Sequence, residues 1–555
     1  MIFESHFLLF SIGVGALAQG FDRPTDLTRS ARSMVLARNG MVATSQPLAT
    51  QAGLDVLRRG GNAFDAAVAA AAVLNVVEPM STGIGGDAFV LAWSAKEKKL
   101  LGLNGSGRSS ARATIEHYRA KGYSRFPTFG PDSVTVPGAC DAWAALVARC
   151  GKLPIAEVLR DAIRYAEEGF PVSEIIASGW SGAESLASIP EFAAAYLVRD
   201  GDGRRAPRVG EVFRQPDLAA TLKKVASGGR DIFYRGEIAE KIAAYLKEKG
   251  SLIGLDDLAA HASEWVEPVG VDFRGHEVFE LPPNGQGIVA LEMLRILDGY
   301  DLKSLGHNSA EYLHLFLEAK KFAFADRDRF IADPVLQKVP VETLLSKEYA
   351  ARVRAKIEPA RASKRPRSVL EGASDTVYLA AADGEGNMVS FINSLFHGFG
   401  SRLVVPGTGI CLQNRGALFS LDGDHPNRVE PRKRPFHTII PGMVLKGGRP
   451  YLVFGVMGGD FQPQGHVQVL LNHIVFGMNP QEAGERARAS EGGGVVHLEA
   501  AIGSDVREKL RAMGHDVRPG GAGGFGGYQG ILLDPAMGVL MAGSDNRKDG
   551  CAAGY

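Results

Sequence analysis

Apolar residues recur along this chain in two rhythms, and the change from one to the other divides it. Residues 47–59 and 63–77 repeat hydrophobic positions at helical spacing, with Gly60-Gly61-Asn62 marking the second start and Pro79 its end. Residues 66–72 are nearly all alanine, so another element must pack very close to that helix. Between 136 and 330 amphipathic helical patterns dominate, as at 153–168 and 238–249, with short turns and a few strand-like runs between them. Residues 360–368 (ARASKRPRS) then break the periodicity with a basic, Pro-containing stretch that reads as an exposed linker. Beyond it, strand-like runs at 376–382 and 388–395 flank Asp383-Gly384-Glu385-Gly386-Asn387, and a second hairpin joins 442–445 to 451–456. Further strands are predicted at 530–533 and 538–542, and helices at 464–472 and 505–513. Two successive hairpins predict a layered sheet core.

The composition places the chain among soluble globular proteins, since 555 residues with 45% hydrophobic and 22% charged positions can bury a large core. Lys+Arg and Asp+Glu both number 62, so no overall field draws the protein to nucleic acid or an anionic membrane, and a small molecule is the expected partner. The four cysteines form no CxxC pair and read as buried thiols. Residues 7–20 resemble the apolar part of a signal peptide, with Ala16-Leu17-Ala18 as a cleavage site, but Glu4 precedes them and no Lys or Arg does. Residues 1–33 therefore read as an N-terminal extension or signal-like segment. A cytoplasmic location is expected, with a periplasmic or secreted one as the alternative. No segment reads as a membrane span.

The common catalytic signatures are missing: there is no GxSxG elbow, HExxH pair, Walker A loop or kinase set. Ser544-Asp545-Asn546 lacks an accompanying KTG and reads as a turn, and the glycines of 520–527 lack dinucleotide spacing. The 13 histidines contain no i, i+4 pair of the metalloprotease type, so neither a catalytic metal nor a cofactor is expected. The remaining candidate is Asp375-Thr376, where the linker meets a strand that starts on a hydroxyl residue.

Around that junction the chain closely resembles the γ-glutamyltranspeptidase family. The resemblance rests on Gly60-Gly61-Asn62-Ala63-Phe64-Asp65-Ala66-Ala67, on Gly83-Ile84-Gly85-Gly86, and on the order Thr376, Asp383, Gly386-Asn387, Val389-Ser390, Phe399-Gly400, Pro406-Gly407-Thr408-Gly409-Ile410, Lys433-Arg434-Pro435, Gly458-Gly459. Ala553-Gly554-Tyr555 matches the family's terminus, so the likeness runs from about Met41 to the end. It implies an α+β fold, the four-layer αββα sandwich of N-terminal-nucleophile hydrolases, made as a proenzyme. Cleavage between Asp375 and Thr376 would give a large subunit, 34–375, and a small catalytic one, 376–555, with a dimer of such processed pairs as a further expectation. Thr376 would be the nucleophile, and its freed α-amine, with an ordinary pKa of roughly 7.7–8.0, the base. Gly458 and Gly459 match the family's oxyanion hole, worth on the order of 3 kcal/mol per pre-aimed donor. Ser394 matches a Thr that hydrogen-bonds the nucleophile.

The donor pocket departs from the family's pattern. Ser106 stands where an arginine binds the donor carboxylate, Phe396 replaces an asparagine, Leu418 an ammonium-binding aspartate, and His437-Thr438 a serine pair. Without that aspartate the pocket cannot readily offset the cost of a buried ammonium group. Residues 104–108, 394–400 and 434–438 resemble instead the branch that contains oxamate amidohydrolase and cephalosporin-acylase-like enzymes. Arg108, His397, Arg415 and His437, with Thr438, are the candidate carboxylate-binding residues. The favoured expectation is an amidohydrolase acting on oxamate or a related short amide. The alternatives are a γ-glutamyltransferase or glutathione hydrolase with an altered pocket, and an inactive binding protein on the same scaffold.

Overall fold

The computed structural model describes residues 32–364, 375–519 and 524–555, so the signal-like segment, the end of the basic linker and residues 520–523 lie outside it. Two seven-stranded antiparallel sheets stack face to face at its centre. The first runs, in spatial order, Cys551–Gly554, Gly40–Thr44, Asp375–Asp383, Met388–Phe396, Asp87–Ser94, Lys99–Gly105 and Glu264–Val266. The second runs Val35–Ala37, Val539–Ser544, Gly527–Asp534, Arg449–Met457, Gly442–Lys446, His276–Glu280 and Val269–Phe273.

Alternation along the strand Asp375–Asp383 explains how one sheet serves two cores. Val377, Leu379 and Ala381 join the helical side, whereas Tyr378, Ala380 and Ala382 face the second sheet among Met443, Val453 and Ile531. Because both faces are covered, the strand is nearly continuously apolar. The outer helical layer on the first sheet includes Pro47–Arg58 and Ala63–Val77, the latter buried along its whole length. Asn62 starts that helix with a capping box closed by Asp65. Its alanines admit the neighbour closely, a Cβ on Gly53 falling 3.3 Å from the Ala66 carbonyl oxygen. A leucine at the fully buried Ala70 would overpack its surroundings at a cost of about 1–3 kcal/mol. On the far side, Gly287–Leu297, Ala310–Phe330 and Gln462–Leu470 cover the second sheet. The layers are therefore helix, sheet, sheet, helix, the αββα order of an N-terminal-nucleophile hydrolase.

Several sequence expectations change in detail. The helical pattern at 153–168 is two helices, Ile155–Val158 and Arg160–Glu168, which meet at Leu159. The hairpin of Asp87–Ser94 and Lys99–Gly105 was not anticipated, because its first strand is almost wholly buried and shows no alternation. Only Cys140 and Cys411 are buried, Cys150 and Cys551 being half-exposed, and all four are free thiols. Ser544-Asp545-Asn546 does turn the chain, with Asp545 buried against Arg488 at 2.7 Å and Arg547 at 3.0 Å. No helix among the described residues is long and apolar enough to cross a membrane.

Candidate active site

Thr376 lies one residue into its strand and is 2% exposed. The pairing slips at this point: Asp375 opposes Phe396 but Val377 opposes Asn393, so Ser394 and Leu395 together face Thr376. Such a two-against-one bulge re-aims a side chain. Here it sets Ser394 Oγ 3.0 Å from Thr376 Oγ1. Ser394 Oγ also accepts the Phe396 backbone N–H at 2.9 Å, which fixes the hydroxyl's orientation. Phe396 takes a left-handed backbone, φ +83°, to turn the chain away. Gly86 is required behind it, because a Cβ there would stand 2.5 Å from the Ser394 carbonyl oxygen.

The second sheet supplies the facing wall. Its strand Arg449–Met457 ends in Gly458 and Gly459, at φ +127° and +55°, a turn that only glycine enters cheaply at both positions. Gln286, buried at the start of the helix Gly287–Leu297, holds this turn from behind. Its Nε2 donates to the Gly459 carbonyl at 3.0 Å and to the Thr438 carbonyl at 2.7 Å. Its Oε1 accepts from Arg327 Nη1 at 3.1 Å, and the same nitrogen binds Asp460 Oδ1 at 3.0 Å. One amide thus ties the Gly458-Gly459 turn to the His437-Thr438 segment.

The candidate carboxylate-binding residues separate into distinct environments. Arg415 is fully buried, its guanidinium centre 4.6 Å from the Phe396 ring centroid and its Nη1 donating to Thr438 Oγ1 at 2.7 Å. Its Nε and Nη2 have no hydrogen-bond partner among the described residues. Burial pulls this guanidinium down to about 9, opposed by the nearby charge of Asp87. His397 lies against Phe396, ring centroids 4.2 Å apart, and its Nδ1 accepts from Asn414 Nδ2 at 2.9 Å. Burial and the charge of Arg415 lower it to about 4, so near neutral pH the ring is uncharged with its proton on Nε2.

His437 and Arg108 are engaged within the protein. Nδ1 of His437 accepts the Ile439 N–H, so Nε2–H donates to Asp87 Oδ2 at 3.1 Å. Burial keeps this imidazole well below its ordinary range and pushes Asp87 up to about 7. Asp87 Oδ1 accepts from the backbone of Gly107 and Gly138. Arg108 binds Asp333 at 3.2 Å and Glu264 at 2.9 Å, and Arg434 shares Glu264. Ser106 is buried on Asn104 and Asn284. Leu418, with Phe126, Phe419 and Phe436, lines a cavity of about 390 Å³.

The gamma-glutamyltranspeptidase family model matches residues 49–555. The chain belongs to that family. The glutathione hydrolase-like YwrD proenzyme of Bacillus subtilis is 41% identical over 94% of this chain and 99% of that protein. The oxamate amidohydrolase proenzyme of Klebsiella pneumoniae is 38% identical over 94% and 99%. The crystal structure of cephalosporin acylase from Bacillus halodurans superposes with a TM-score of 0.88, at 46% identity, over 96% of this chain and 99% of that one. The chain is therefore an enzyme of the self-processing N-terminal-nucleophile hydrolases, on the branch the sequence pointed to.

Gln286, Arg327, Asp460 and Asp87 escaped the sequence reading. Gln286 lies in Pro282-Pro283-Asn284-Gly285-Gln286-Gly287, a run with no charge or histidine, and nothing local connects it with Gly459, 173 positions on. The proline and glycines just before an apolar helix were the available signal, and they marked only a tight turn.

Proposed function

We propose that the chain cuts itself between Asp375 and Thr376, and that Thr376 then hydrolyses a short amide whose acyl part carries a carboxylate, oxamate being the favoured substrate. In the first step Thr376 Oγ1 adds to the Asp375 carbonyl carbon, the C–N bond breaks and the nitrogen takes up the proton. Water then cleaves the resulting ester to leave the Asp375 carboxylate, the free hydroxyl and an α-amine. In turnover that amine takes the hydroxyl proton as Oγ1 attacks the amide and returns it to the departing ammonia, and water later releases the acyl group. Ser394 holds Oγ1 in line, and the backbone N–H groups of Gly458 and Gly459 receive the oxyanion.

The observation that carries the substrate class is Arg415, a buried cation beside Ser394's neighbour Phe396 with two N–H groups left without acceptors. An unpaired buried guanidinium is costly, and a ligand carboxylate would satisfy both groups in the planar fork that arginine offers. Leu418 offers an α-ammonium group no anion, and the Asp87 carboxylate is already engaged by His437 and the Gly107 and Gly138 N–H groups, which disfavours the γ-glutamyl alternative. His397 Nε2–H is a second neutral donor. Arg108 and His437 act in this scheme through the pairs they already form.

Denaturing gels and parallel assays test the proposal. The purified protein should run as two fragments, the smaller beginning at Thr376, and Thr376→Ala should remain one chain. The processed enzyme should release ammonia from oxamate and turn over a γ-glutamyl anilide slowly. Rapid anilide turnover accelerated by dipeptide acceptors would defeat the substrate assignment.

A further inference from the structure

Away from Thr376, the helix Ala310–Phe330 carries His314 and Glu318 one turn apart on a single buried face. His515 meets them from the loop between the helix Ser504–Ala512 and the strand Asp516–Pro519. A ring nitrogen of each histidine and a carboxylate oxygen of Glu318 all lie within 4.8 Å of one another. The proton positions follow from the partners. His314 Nε2–H donates to the Glu358 carbonyl at 2.8 Å, which leaves Nδ1 bare and turned to His515 Nε2 at 2.9 Å. Glu318 Oε1 accepts from Lys321 at 2.8 Å and from the Ser363 N–H at 3.1 Å. Two further atoms are buried without a partner among the described residues, Glu318 Oε2 and His515 Nδ1.

We infer that His314 Nδ1, His515 Nε2 and Glu318 Oε2 form a site for a borderline divalent cation of the Zn²⁺ class. Two imidazoles and one carboxylate suit such an ion, and a ligating histidine commonly donates its other N–H to a backbone carbonyl, as His314 does to Glu358. At a tetrahedral Zn²⁺ with bonds of about 2.0–2.1 Å, two ligand nitrogens stand about 3.3 Å apart. The two nitrogens therefore need to part only slightly, while the His515 proton moves from Nε2 to Nδ1. The ion gives Glu318 Oε2 a partner. Water completes the coordination.

The site's position gives it a consequence. Glu358 lies just ahead of the processing linker and Ser363 in its first residues, where Ala362 N–H donates to the Met513 carbonyl at 2.7 Å. His515 lies in the small chain. A bound ion would therefore clamp the tail of the large chain to the small one across the cut, a role that needs no part in the chemistry at Thr376.

The test is titration of tag-free, processed protein with Co²⁺ and with Zn²⁺ after chelator treatment. One equivalent of Co²⁺ should give the intense visible absorption of a four- or five-coordinate site and be displaced by Zn²⁺. His515→Gln and Glu318→Gln should each weaken binding by at least about tenfold, with basal amidase activity retained. Zn²⁺ should also protect the 358–364 tail from proteolysis in the wild type. Weak octahedral absorption only, or binding unchanged in both variants, overturns the site. Should the variants fail to fold, the wild-type Co²⁺ spectrum alone decides, because it does not depend on them.

Discussion

Arg415→Met should separate binding of the substrate carboxylate from everything else the enzyme does. Methionine keeps an apolar stem against Phe396 while removing the guanidinium and its bond to Thr438 Oγ1. Each charge-assisted hydrogen bond is worth about 1.5–3 kcal/mol, so two bonds from Nε and Nη2 to a carboxylate amount to about 3–5 kcal/mol once their mutual dependence is allowed for. At about 1.4 kcal/mol per decade, kcat/KM for oxamate should fall roughly 10²- to 4 × 10³-fold. The assay is ammonia release from oxamate and from oxamide, its neutral diamide, by wild type and variant. The ratio of the two kcat/KM values should collapse, while self-cleavage, read on a gel, proceeds and reports an intact fold. Arg415→Lys should recover part of the ratio, because a point charge replaces the charge but not the planar fork. Equal losses on both substrates would refute the reasoning, as would no loss on either.

Gln286→Leu should lower kcat roughly 10²-fold with a smaller change in KM, measured by steady-state kinetics, because it frees the Gly459 and Thr438 carbonyls and loosens the proposed oxyanion donors; a pure KM effect would contradict this. Ser394→Ala removes the 3.0 Å contact to Thr376 Oγ1 and should slow both self-cleavage and turnover about fivefold, for the roughly 1 kcal/mol of one hydrogen bond, with Ser394→Thr close to wild type. Asp87 is raised by burial from 3.8 to about 7, so the folded state holds its proton more tightly than the unfolded chain does. The stability this contributes is fully present below pH 4 and is lost as pH rises through about 7, by no more than about 4 kcal/mol. In a Thr376→Ala background, Asp87→Asn should therefore lose less stability than its parent between pH 5 and pH 8 in denaturant titrations; an unchanged difference would exclude Asp87 as the source.

Much of the architecture was legible because local pattern and burial coincide in this chain. The strands at 376–382 and 388–395, the hairpin around residue 447 and the helices at 47–58 and 63–77 follow from periodicity and turn residues, which act within a few positions. The order of glycines and hydroxyls from Thr376 to Gly459 was also readable, since it is a property of the sequence itself. The states of the candidate site residues were not. Arg108, His397, Arg415 and His437 look alike in sequence, as four basic side chains. The fold brings Asp333 and Glu264 to Arg108 and, from 350 positions away, Asp87 to His437, while among the described residues no carboxylate reaches Arg415 within hydrogen-bonding distance. A side chain's charge and spare hydrogen-bonding capacity depend on desolvation and on partners drawn from remote segments. Neither is encoded within the few residues around it, and so tertiary packing alone decided which of the four keeps donors without a partner among the described residues.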